Sequence, residues 1–86
     1  MSNIIDVVDI VERIRDVLED KYGKKVLDKN IAHELGIAPY NIAARKTRNS
    51  IPFHPVINFC NKYKISTDWL FFGIGSKERD HAKEDM

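Results

Sequence analysis

Apolar side chains recur three and four positions apart along the N-terminal stretch, at Ile4, Val7, Ile10, Val11, Ile14, Val17 and Leu18. That spacing lays them on one stripe of an α-helix, with Asp9, Glu12, Asp16, Glu19 and Asp20 on the opposite face. Asn3 suits the N-cap, Asp6 complements the helix dipole, and Gly23 after Tyr22 suits the C-terminal stop. Ile5 and Val8 fall off the stripe, as ordinary surface or as cover for a neighbour. Asp28 reads as the cap of a second helix, Lys29 to Leu35, with Ile31, Ala32 and Leu35 inward and Gly36 as its stop. Pro39 then stands at the first position of a third helix running to about Arg48. Ile42 points inward there, and Tyr40, Ala43, Ala44, Thr47 and Arg48 point away.

A fourth helix is expected over Phe53 to Tyr63, with Pro55 in its first turn. Phe53, Val56, Ile57, Cys60 and Tyr63 make its apolar face, with Phe59 alongside. Ser66 caps a last short helix from Thr67 to about Phe72, with Leu70 and Phe72 inward and Phe71 outward. Gly73-Ile74-Gly75 ends it. The remainder, residues 76–86, is almost wholly polar and is expected to fray or to extend as a solvated helix. No stretch alternates as a strand would. The pattern predicts an all-α fold, a compact five-helix domain over residues 1–75 followed by a polar tail.

Length and charge narrow the classes of function. A chain of 86 residues makes one small domain with a modest core, which leaves little room for a deep catalytic cleft. The single cysteine, Cys60, allows no internal disulfide and no paired-cysteine metal site, which fits a reducing cytoplasm. The N-terminus has neither a basic signal-peptide region nor a membrane-spanning run. His33 and His54 lack partners at metal spacing. No paired carboxylates, nucleophile–base set or phosphate loop is present, so no enzyme, metal, cofactor or small-molecule ligand is expected.

Net charge is only +1, but it is unevenly spread. Residues 1–20 hold two basic and six acidic side chains, residues 21–64 nine basic against two acidic, and residues 65–86 three against five. A basic middle between acidic ends is the footprint of a domain with one nucleic-acid-facing side.

The basic block contains the most informative stretch, Asp28 to Arg48. Two helices that cross through a short turn need a small residue where they touch, and Ala32 is one. Four positions on they need a residue tolerant of positive φ, which Gly36 is, and then apolar anchors, which Ile37 and Ile42 supply. In this order the stretch resembles the helix-turn-helix of the phage-repressor (Xre, lambda-repressor-like) family. The likeness extends to Ser50-Ile51-Pro52 before the fourth helix and to Asp68-Trp69-Leu70 with Gly73 at the fifth, covering about Ile10 to Gly75.

The resemblance implies a transcriptional regulator that reads double-stranded DNA with its third helix, commonly as a homodimer. It places candidate base-reading residues at Ala38, Pro39, Tyr40, Asn41, Ala43, Ala44 and Thr47. Lys29, Asn30, Arg45, Lys46, Arg48 and Asn49 become candidate phosphate contacts, and Trp69, Phe71 and Ile74 a candidate dimer face. Arg45 stands where the family often has an aromatic or aliphatic anchor; its stem can pack while its head reaches a phosphate. A reading face poor in Arg and Lys leads us to expect an A·T-leaning site. The chain has no room for the self-cleaving domain of larger phage repressors, so inducible cleavage is not expected. The alternative is a protein-interaction module of the same fold, such as an antitoxin or adaptor, with the third helix contacting protein.

Overall fold

The computed structural model describes residues 5–79. Five helices follow one another: α1 (Val7–Tyr22), α2 (Asp28–Leu35), α3 (Pro39–Arg48), α4 (Phe53–Tyr63) and α5 (Thr67–Phe72). No helix among the described residues is long and apolar enough to cross a membrane. The amphipathic stripe of α1 is the spine of the core, with Val7, Ile10, Val11, Ile14, Val17 and Leu18 all buried. Against it pack Val26, Ile31, Ala32, Leu35, Ile42, Val56, Phe59, Cys60, Ile65, Leu70 and Phe71 in one continuous cluster. Helix α1 touches α2, α3 and α5, while α2 packs on α3 and α4. Cys60 is a core residue, and burial pushes its thiol up to about 11.

Each helix stops where a residue takes the left-handed conformation: Gly23, Gly36, Asn49, Lys64 and Gly73. The expected starts hold at Pro39, and at Ser66, whose Oγ accepts from the Trp69 N–H. Two others move. The proposed cap Asn3 lies outside the described residues, and α1 instead begins at Val7, where the Asp6 carboxylate accepts from the Val8 N–H at 2.8 Å. Asp28 is not a cap but the first residue of α2. Leu27 holds the cap position without a side-chain acceptor, and its N–H is taken by Asn30 Oδ1 at 2.9 Å. The Asp28 carboxylate is occupied elsewhere, by Arg15 and Lys46.

The inward faces of the last two helices differ from expectation. On α4, Phe59 is buried and Ile57 exposed. On α5, Phe71 is only 7% exposed and Phe72 is 43% exposed, the reverse of the expected orientation. Phe71 turns in because its ring stacks on Phe53, centroids 5.6 Å apart.

The start of the polar tail neither frays nor extends as a helix. Glu78 pairs antiparallel with Ile65, the Ser66 N–H donates to the Lys77 carbonyl, and the Arg79 N–H donates to the Lys64 carbonyl. Lys77 reaches back to Asp16 at 2.9 Å, and Arg79 Nη2 donates to the Cys60 and Ile65 carbonyls and to Asn61 Oδ1. These three residues strap the α4–α5 junction to α1.

Candidate nucleic-acid interface

Helices α2 and α3 are separated by three residues, 36–38. Gly36 sits at φ 74°, and its N–H donates to the His33 carbonyl, closing α2. The Ile37 N–H returns to the Ala32 carbonyl at 3.0 Å, and Ile37 packs on the core. The Ala38 carbonyl accepts from the Asn41 N–H, opening α3. Ala32 is fully buried and lets α3 approach, and Ile42, 2% exposed, pins it. One side of α3 is therefore fixed and the other is bare. Tyr40 is 76% exposed, Pro39, Ala43 and Thr47 are also exposed, and Ala38, Asn41 and Ala44 are half-buried beside them. Thr47 Oγ1 donates back to the Ala43 carbonyl, so its hydroxyl hydrogen is already used. Asn41 and Ala44 line a shallow cavity of about 100 Å³ with Arg45, Arg48 and Ser50.

The six phosphate candidates divide. Lys29 and Arg48 are exposed and make no ion pair among the described residues. Asn30 is exposed, with its oxygen accepting from the Leu27 N–H. The other three are engaged within the protein. Asn49 Oδ1 accepts from the Val7 N–H at 2.8 Å, so it caps α1 from the end of α3. Arg45 lines a small apolar cavity with Val7, Ile10 and Val56, and its Nη1 donates to Ser50 Oγ at 3.2 Å rather than pointing outward. Its Nε is buried with no partner among the described residues. Lys46 pairs with Asp28 Oδ2 at 3.0 Å, and Asp28 Oδ1 accepts from Arg15 Nη2 at 2.5 Å. Arg15 first, then Lys46, holds the Asp28 carboxyl below its ordinary value against the opposing effect of burial.

Sequence reasoning missed three cationic or titratable neighbours. Lys24, Lys25 and His33 line a depression of about 400 Å³ with Tyr22, Leu27 and Asn30, beside the start of α2. Their only signal was the basic excess of residues 21–64, which no motif localised.

No family model, curated protein or solved structure matches the chain. What the arrangement can do is therefore read from its chemistry. An exposed helix face of small, amide and phenolic side chains can approach a polymer closely and hydrogen-bond to it. Cations near the end of that face, Arg48 on α3 and Lys29 beside Asp28 on α2, can neutralise an anionic backbone.

The dimer-face candidates are not brought together. Phe71 is buried against Phe53, and Trp69 is half-buried with the Lys77 ammonium 5.6 Å over its ring. Ile74 alone of the three is open, and Phe53 and Ile57 on α4 and Phe72 on α5 are exposed apolar side chains as well.

Proposed function

We propose that this chain is a sequence-specific, repressor-like DNA-binding transcriptional regulator of the phage-repressor family. In this reading α2 and α3 form its helix-turn-helix, and the protein acts as a homodimer on double-stranded DNA. The observation that carries the reading is the two-sidedness of α3: Ile42 locks one face to the core, while the opposite face, from Pro39 through Tyr40 to Thr47, is uncovered. A helix so held fits a major groove about 12 Å wide. Ala43 and Ala44 let it lie close, Tyr40 and Asn41 reach base edges, and Ala or Thr methyls meet thymine methyls. Lys29 and Arg48 contact phosphates, with Lys24 and Lys25 near the start of α2 extending that track. The shortage of Arg and Lys on the reading face favours A·T-rich sites.

Selection from random duplexes at low and moderate salt tests the reading. The expected result is an A·T-leaning consensus whose identity changes in Tyr40→Ala. Arg48→Ala weakens binding to all sequences alike and flattens the log–log salt slope by about 0.9. Failure to bind any duplex at low salt overturns it. That outcome favours the second reading, a protein-interaction module. Two observations support that alternative: Arg45, Lys46 and Asn49 are engaged internally, and Phe53, Ile57, Phe72 and Ile74 are exposed.

A further inference from the structure

Lys46 is the only lysine of α3, yet its ammonium turns to α2, where Asp28 Oδ2 lies 3.0 Å away. The carboxylate it meets is held from its other side as well. Its other oxygen is held by Arg15 Nη2, and Arg15 is itself fixed by Glu12 at 3.0 Å and by the Val26 carbonyl. Glu12, Arg15, Asp28 and Lys46 thus form a chain across α1, α2 and α3 whose charges cancel. The group is partly exposed, so an incoming anion can approach it. A phosphate drawn to Lys46 is set against the anchored Asp28 carboxylate, and the repulsion offsets the attraction. Asp28 also occupies the first turn of α2, where the helix dipole and free N–H groups already favour its negative charge.

We propose that Asp28 is an internal competitor for DNA phosphate, holding Lys46 in a neutral latch so that Lys46 makes no phosphate contact in the native protein. The inference rests on the DNA-binding reading above. Phosphate contacts supply most of the affinity for random sequence. Withholding one therefore lowers non-specific binding and leaves the base contacts of α3 a larger share of the total. Asp28 then sets the overall affinity for DNA and its salt dependence without touching a base.

The test is duplex binding by Asp28→Asn, Lys46→Met and the double variant, on a selected and a random duplex, from 50 to 200 mM salt. Asp28→Asn keeps the side-chain shape and frees Lys46. It is expected to tighten both duplexes about ten-fold at 50 mM and to steepen the log–log slope by about 0.9. Its advantage then shrinks about 3.5-fold by 200 mM. Lys46→Met alone is expected to change affinity less than about two-fold, and in the double variant most of the gain disappears.

Two results overturn the latch while leaving DNA binding intact. One is an Asp28→Asn protein that binds as the wild type does; the other is a Lys46→Met protein weakened as much as Arg48→Ala. The second needs only Lys46→Met and so decides the matter even should Asp28→Asn fold poorly. If neither the wild type nor Asp28→Asn binds any duplex at 50 mM, the DNA reading itself fails, and the latch with it.

Discussion

Gly73 and Gly36 share φ 74°, a conformation that a β-carbon disfavours, but their surroundings differ. A Cβ at Gly36 meets open space, whereas one at Gly73 comes 2.7 Å from Arg13 Nη2. Arg13 can yield only by disturbing the 2.8 Å bond from its Nη1 to the Leu70 carbonyl. Gly36→Ala should therefore cost about 1 kcal/mol. Gly73→Ala should cost about 1 kcal/mol more, because the hydrogen bond is weakened as well. Paired urea unfolding curves check the order; equal midpoints would show that Arg13 relocates freely. A second residue-scale effect lies in Glu34. Burial raises its pKa, but hydrogen bonds from the Tyr63 hydroxyl at 2.8 Å and from Lys62 outweigh it and hold the carboxyl below its ordinary value. A depressed carboxyl adds stability above its unfolded pKa, about 4.3, and loses it as pH falls through the folded value. Glu34→Gln should then lower the urea midpoint clearly at pH 7 and only slightly at pH 3.

Between elements, Asn49 is the position where structure most changes the account of the site. The family resemblance places it among the phosphate contacts. In the fold it ends α3 in the left-handed region, which Asn tolerates, and its side chain caps the first N–H of α1 from a distance of 42 residues in sequence. Asn49→Ala should cost about 1 kcal/mol of stability, the usual loss for a cap, and leave the salt slope of DNA binding unchanged. A slope flattened by about 0.9 would restore the phosphate role. The contrast shows what periodicity can reveal. The stripe of α1, the Ala32–Gly36–Ile42 spacing and the bounds of α3 were legible because each depends on residues within one or two helical turns. Asn49, Lys46 and Arg45 were not legible, because their partners Val7, Asp28 and Ser50 come from other elements or from beyond the helix end. The six residues of α5 are too few to express a helical period, so stacking between Phe53 and Phe71 decided its facing. The strap at Lys77–Arg79 escaped for a similar reason, since polar composition says nothing about backbone pairing to Lys64 and Ser66.

At the scale of the whole molecule, the proposed homodimer must bring two α3 faces to the same side, about 34–36 Å apart, to meet half-sites one helical turn apart. The structure moves the apolar face available for this. Phe71 belongs to the core and Trp69 is partly covered by Lys77, which leaves Phe53 and Ile57 on α4 with Phe72 and Ile74 at the end of α5. Two adjacent phenylalanines thus take opposite roles, and their substitutions separate self-association from folding. Phe71→Ala empties a well-packed site and should cost about 3–5 kcal/mol, a large share of the stability of so small a domain. Phe72→Glu removes an exposed ring and places a charge where a partner would have to bury it. It should leave the unfolding midpoint nearly unchanged, shift sedimentation toward the monomer, and weaken binding to a two-half-site duplex far more than to a single half-site. A Phe72→Glu protein that stays dimeric and binds the double site normally would place the subunit contact elsewhere on the surface, away from α5. If both proteins are monomers and bind single and double sites alike, the homodimer is ruled out while the α3 reading face stands.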